Sequence, residues 1–215
     1  MAPTLLTFDI FGTVVDWRAG LRADLATQGI ALGDEDFDRI VDAQGADEAG
    51  LFRTYREITA ASLVQVLGLT PAAADAVGHN VGRWPPFPDS REALGRLLRL
   101  APCVAMTNSD SSHGEQCQEQ LGFPLSDWVC AEEVRVYKPS VAFWHAVARR
   151  RGISPGRHWW HVSAYADYDL QTAGQLGLTT VFVTRPHARP GPADHQVADL
   201  SQLVALVQQT LESSR

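Results

Sequence analysis

Four apolar runs, each closing on a polar residue, constrain this chain more than any other feature: Leu5 to Asp9, Cys103 to Thr107, Trp159 to Ser163 and Thr180 to Thr184. Such short runs, apolar on successive residues and bounded by turn formers, suit strands covered on both faces, as in a parallel sheet. Helix-like segments at about Ser112 to Leu121, Val141 to Arg151 and Leu170 to Leu176 separate the last three runs and follow them in alternation. That order predicts an α/β fold with an open parallel sheet. A further short strand is expected near Trp128 to Cys130, and a closing amphipathic helix over Leu200 to Leu211.

Between Asp16 and Trp84 the pattern changes. Leu21/Leu25, Phe37/Ile40/Val41 and Ile58/Leu63/Val66/Leu67 repeat at helical spacing with no strand-like run among them. Residues 16–84 therefore read as a helical insertion into a core made of residues 1–15 and 85–215. The insertion ends at RWPPFPDS, a proline cluster that cannot continue a helix and suits a hinge or linker. Ser90 to Leu100 then resumes as a helix, and RPHARPGPADH reads as a proline-rich loop.

Composition narrows the partners. A formal net charge of -7 argues against a nucleic-acid or anionic-membrane surface, and leaves a small molecule as the expected partner. No apolar stretch approaches the roughly 18 residues of a membrane span, and the opening residues lack the basic region of a secretion signal. Cys103, Cys117 and Cys130 are odd in number and without metal-type spacing, so free thiols in a reducing cytoplasm are expected. The seven histidines show no metal spacing either: His161 reads as a core residue of its strand and His113 as a surface one. Arg149 to Arg151 read as a solvated helix end, and Trp159 and Trp160 as strand packing.

In an open parallel sheet the loops at the carboxyl ends of the strands converge on one crevice. The first strand delivers Asp9 there, the second Thr107 and Asn108, and the segment WWHVSAYADYD delivers Asp169. Lys138, in VYKPS, opens the helix before that last strand, and it is the only lysine among 18 basic residues. A position that keeps lysine in so arginine-rich a chain suits a compact ammonium rather than a planar fork. Asp9 could instead cap the helix that follows, but Asp16 would serve that purpose equally well.

Together FDIFGTVVD, TNSD, VYKPS and HVSAYADYDLQTAGQLGL resemble, in order, the four motifs of the haloacid dehalogenase superfamily. The resemblance covers the whole chain and implies a Rossmann-like core with a helical cap domain at residues 16–84. It implies that Asp9 is a nucleophile forming a covalent ester, which splits one difficult displacement into two easier steps. Gly12 would permit a tight turn, and Thr13 would hold Asp9 by a hydrogen bond.

Two departures separate the chain from the superfamily's magnesium-dependent phosphatases. The residue two after the nucleophile, there a second aspartate acting as acid and base, is Phe11, and the first acid of the fourth motif falls on Tyr165. Magnesium favours several hard oxygen ligands, so that pattern weakens a metal site. The chain is more similar to the hydrolytic branch of type II 2-haloacid dehalogenases, which implies displacement of halide from a small 2-haloacid without metal or other cofactor. A magnesium-dependent phosphatase and a binding protein that kept the fold but lost turnover are the alternatives.

The resemblance further implies that Phe11 cradles the leaving halide, that Lys138 steadies the developing charge, and that Asp169 orients or deprotonates the hydrolytic water. Ser163 and Tyr165 would stand beside that water, with Asp167 as a rival to Asp169. Thr107 and Asn108 would bind the substrate carboxylate or the halide. The cap arginine of that branch falls on Arg39 in one register and on Asp42 in another, and its active-site tyrosine falls on Trp144. A homodimer is also implied.

Overall fold

A computed structural model describes residues 1–214. Six strands form one wholly parallel sheet: β1 (Leu5–Phe8), β2 (Cys103–Thr107), β3 (Asp127–Cys130), β4 (Trp159–Ser163), β5 (Thr179–Val183) and β6 (His195–Val197), in the spatial order β3-β2-β1-β4-β5-β6. The four expected strands and the short fifth are present, within a residue at most ends. β6 was not expected, because HQV is three residues long and follows a proline-rich loop with no apolar run to announce it.

Alternation along β1 sends Leu6 and Phe8 to one face and Leu5 to the other. On the first face they meet α5 (Ser90–Leu97), α6 (Ser111–Leu121) and α10 (Leu200–Glu212), through Leu94, Cys117 and Leu203 among others. On the second, Leu5, Val104 and Trp159 pack against Phe143, Trp144 and Val147 of α8 (Val141–Arg151) and Ala173 of α9 (Gln171–Gln175). With both faces covered, every β1 residue is buried, which is why the strands read as continuous apolar runs.

Between β1 and α5 the chain is helical, as expected: α1 (Trp17–Thr27), α2 (Asp34–Glu48), α3 (Tyr55–Leu67) and α4 (Pro71–His79), then a single 3-10 turn at Val81–Arg83. Asp16 caps α1, its Oδ1 accepting from Ala19 N at 3.0 Å. The two connections to this insertion pair with one another: Asp16 N donates to Pro85 O at 2.8 Å and Phe87 N to Val14 O at 2.9 Å. His113, expected at the surface, is instead fully buried, with Nε2 2.8 Å from Gly78 O. It ties α6 to the end of α4, a pairing that adjacent residues in sequence do not signal.

One further local feature bears on the site. After β4 the chain makes a π-helical turn over Ala166–Leu170 before α9, where a single helix was expected from Leu170. The wider turn takes in an extra residue and turns Asp169 fully inward while Asp167 stays at the surface. α7 (Ala131–Val134) is a single turn between β3 and Lys138.

Candidate active site

β1 lies between β2 and β4, so the chain crosses to opposite sides of it; at such a switch point the loops part and leave a crevice at the strands' carboxyl ends. Asp9 stands there, one residue beyond β1, its N–H still bonded to Val162 O at 3.0 Å. Thr13 Oγ1 donates to Asp9 Oδ2 at 2.7 Å and accepts from Ala164 N at 2.9 Å, so one hydroxyl ties the Asp9 loop to the end of β4. Between them Gly12 adopts φ +97°, and a Cβ placed there would lie 2.1 Å from the Tyr165 hydroxyl oxygen. The position demands glycine on both counts.

Lys138 Nζ donates to Asp9 Oδ1 at 3.0 Å and to Asp169 Oδ2 at 2.8 Å. All three groups are buried. Burial pushes the Asp9 carboxyl above the ordinary range, and the ammonium opposes that shift. Burial would also raise Asp169, but Lys138 and His161 outweigh it and hold the carboxyl well below the usual range. Burial would lower Lys138, and its two carboxylate partners instead raise it, so the ammonium is the stable form at any neutral pH.

Behind this trio stands a second layer. His161 Nε2 lies 3.0 Å from Asp169 Oδ1, although off the line of a good hydrogen bond, and His161 Nδ1 is 2.8 Å from Thr7 Oγ1. Trp159 Nε1 donates to the same threonine oxygen at 2.8 Å, and the Trp144 ring meets His161 edge-on at 5.8 Å. His161 is thus a core residue, as expected, but one that also touches the ionic trio.

The cavity over Asp9 has a volume of about 250 Å³. Phe11, Trp17, Tyr55, Tyr165 and Tyr168 give it aromatic walls, and Arg18, Arg189 and Lys138 give it positive charge. Phe11 stacks with Tyr55 at 6.3 Å and meets Trp84 edge-on at 6.3 Å. Trp17 Nε1 donates to the Tyr165 hydroxyl at 3.2 Å, and burial pushes that phenol up to about 12.

Of the residues expected here, Asp9, Phe11, Thr107, Asn108, Lys138 and Tyr165 line the cavity, and Thr13 lies directly beneath Asp9. Three expectations need correction. Arg39 lies outside: it is exposed on α2 and bonded to Asp36 at 3.3 Å and to Val66 O at 3.5 Å. Ser163 is fully buried and forms no part of the wall; its Oγ accepts from Tyr165 N at 3.1 Å to shape the turn. The Asn108 amide bonds the backbone of Lys138 through both its oxygen and its nitrogen, and the nitrogen also donates to Glu48 Oε2 at 3.3 Å. Asp169 sits behind Lys138 rather than in the wall. Its rival Asp167 is at the surface, 3.5 Å from Arg189.

Sequence reasoning missed Trp17, Arg18, Glu48, Tyr55, Tyr168 and Arg189 in the wall. It also missed Arg185, which grips Asp89 with two bonds of 2.7 and 2.9 Å and donates to Thr13 O at 3.0 Å, bracing the loop after Asp9. The Trp17-Arg18 pair at the start of α1 carried a usable signal, since these are the first helical residues past the turn that follows Asp9.

Could this site hold a magnesium ion? The ammonium of Lys138 stands between Asp9 and Asp169, and Thr13 occupies the other Asp9 oxygen. With Phe11 and Tyr165 in place of further carboxylates, the donor set does not fit a hard divalent cation.

A comparison with family models matches residues 3–175 to the haloacid dehalogenase-like hydrolases. The chain belongs to that family. Among curated proteins, this hydrolase is 29% identical over 128 residues to (S)-2-haloacid dehalogenase 4A of Burkholderia cepacia, covering 56% of this chain and 54% of that one. The matched segment spans about half the length of that relative. Among solved structures, a defluorinating L-2-haloacid dehalogenase superposes with a TM-score of 0.83 at 24% identity, over 96% of this chain and 95% of that one. The L-2-haloacid dehalogenase of Xanthobacter autotrophicus with chloropropionic acid covalently bound gives 0.80 at 16% identity, over 96% and 98%. These likenesses establish the Rossmann-like architecture of the hydrolase. No helix among the described residues is long and apolar enough to cross a membrane.

Proposed function

We propose that this hydrolase is a 2-haloacid dehalogenase working through an ester on Asp9. The observation that carries the reading is a single ammonium, Lys138, held between Asp9 and Asp169 under an aromatic-walled cavity that offers no place for a metal. The Asp9 carboxylate attacks the carbon that bears the halogen; the carbon–halogen bond breaks with its electron pair and halide departs. Water then attacks the ester's carbonyl carbon, the Asp9 carboxylate is regenerated, and the 2-hydroxyacid leaves with release of one proton. Lys138 and Thr13, already bonded to the two Asp9 oxygens, stabilise the charge that develops on them in the second step.

Phe11, Trp17, Tyr55 and Tyr168 desolvate the departing halide, and Arg18 and Arg189 offset the charge of an anionic substrate. Asp169 acts as a positioning residue for Lys138. Residues 16–84 serve as the cap whose closure excludes bulk water, since α1 and α2 supply the cavity's upper wall. A cytoplasmic setting accords with three buried free thiols, and a homodimer is part of the same reading.

The relatives named above support this reading by their names alone. The test is release of halide from chloro-, bromo- and fluoroacetate, with and without a chelator. Release unaffected by the chelator is expected, together with heavy oxygen appearing in Asp9 after a single turnover in labelled water. Folded protein that releases no halide, or turnover of an aryl phosphate abolished by the chelator, overturns it.

A further inference from the structure

Glu48 is a carboxylic acid that the reaction above does not use, and it stands in the wall of the substrate cavity. It is the last residue of α2, half-buried, and it borders both the Asp9 cavity and a second cavity on the far side of Lys138 and Pro139. Its Oε2 lies 3.3 Å from Asn108 Nδ2, the same amide nitrogen that donates to Lys138 O. The insertion thus places a titratable group within reach of whatever occupies the space above Asp9.

The surroundings fix what that group does. Lys138 acts on it at a distance, but the ammonium's bonds go to Asp9 and Asp169 rather than to Glu48. Phenols of Tyr55, Tyr137 and Tyr168 face it from α3, from the segment before Lys138 and from the π-turn, and each stays protonated under burial. Of the charges bordering the two cavities, Arg135 opens onto the second, while Asp9, Arg18, His187 and Arg189 surround the first. The neighbouring Asp47 is already paired with Arg53 at 2.9 Å. Glu48 has no ion-pair partner among the described residues, and burial pushes its carboxyl up to about 7.

We propose that Glu48 selects the substrate by its charge state: as a neutral acid it donates a hydrogen bond to the carboxylate of a small monoanionic acid in the Asp9 cavity, and as a carboxylate it turns that anion away. The inference rests on the dehalogenase reading for the kind of substrate, and extends it by assigning a specificity-determining residue that neither the four motifs nor the relatives' names contain. Like charges in an enclosed, partly desolvated cavity repel far more strongly than in water, so the ionised state excludes the anion. Occupation by the anion in turn favours the neutral acid, so binding near neutrality takes up a proton.

The test uses propionate, an unreactive monocarboxylate, titrated calorimetrically into the wild-type protein and into Glu48→Gln at about pH 6 and about pH 8. Glutamine keeps the shape and the hydrogen-bond donor without the charge. Wild-type affinity is expected to fall about tenfold from the lower to the higher pH, following the neutral fraction of Glu48. The variant is expected to bind equally at both, and to lose the proton uptake that the wild type shows near neutrality in buffers of different ionisation enthalpy. Equal pH dependence in the two proteins, a wild-type affinity that ignores pH, or no binding of propionate by either overturns the proposal. Halide release from chloroacetate on the same wild-type preparation decides the dehalogenase reading separately, because propionate binding requires no turnover.

Discussion

Asn108 grips the backbone of Lys138 at two points: its Oδ1 accepts from Lys138 N at 2.7 Å and its Nδ2 donates to Lys138 O at 3.0 Å. A residue at the end of β2 therefore fixes where the ammonium from another part of the chain can stand. These two bonds support a positioning part for Asn108. Asn108→Ala is expected to lower kcat about tenfold or more, with KM little changed, and to cost about 1–3 kcal/mol of stability for the two lost bonds. Steady-state halide release and chemical denaturation measure the two effects, and a rise in KM alone counts against the assignment.

Lys138 holds two buried carboxylates, so its removal leaves both without their cation. Lys138→Ala is expected to abolish halide release and to destabilise the fold by about 3–5 kcal/mol, the range for breaking a buried ion pair by removing one partner. Lys138→Arg is expected to fail as well, because a planar fork does not fit the space a compact ammonium fills between Asp9 and Asp169. Urea midpoints with halide release distinguish an inactive folded protein from an unfolded one.

The depressed Asp169 carboxyl has a signature in acid. Its folded-state pKa lies below the unfolded value of about 3.9, so its contribution to stability is present above that pH and is lost as the pH falls toward the folded value. Wild-type stability should therefore drop with acidification below about pH 4 more steeply than that of Asp169→Asn. Thermal melts of the two proteins across that range provide the comparison; parallel pH profiles would show that the aspartate is not held ionised in the folded state.

Two arginines separate the cavity wall from the outer surface. Arg18 lines the cavity beneath the Phe37 ring at 4.7 Å, whereas Arg39 is bonded to Asp36 on the exposed side of α2. Arg18→Ala is expected to raise KM for a haloacid tenfold or more, equivalent to about 1.5–3 kcal/mol for a hydrogen bond to a charged group. Arg39→Ala is expected to leave KM unchanged. Equal effects of the two substitutions would contradict this placement.

Gly12 is the one backbone position in the site where a side chain has no room. Gly12→Ala combines a left-handed φ of +97° with a clash against the Tyr165 hydroxyl. A loss of about 1–3 kcal/mol in stability is expected, with reduced turnover because Asp9 and Thr13 share that loop. Calorimetric melting temperature and halide release together check it.

Much of this arrangement was legible before any coordinates. Strand periodicity and polar run ends bring Asp9, Thr107 and Asn108 to one edge of a parallel sheet, because that edge is where every such strand must finish. The sole lysine could be singled out from composition, and Asp16 already explained the start of α1 without involving Asp9. Of Asp169 and its rival Asp167, Asp169 is the one turned inward to Lys138.

What the chain by itself determined was which segments form strands and helices and which polar residues stand at the strand ends, since those follow from backbone periodicity and local turn chemistry. Only the tertiary structure decided that Arg18 and Glu48 rather than Arg39 look into the cavity, that Asn108 holds Lys138, and that Ser163 and His161 lie behind the wall. The reason is geometric. Which face of an inserted helix meets the core depends on how that helix rotates and docks against elements distant in sequence, and periodicity within the helix carries no record of the choice.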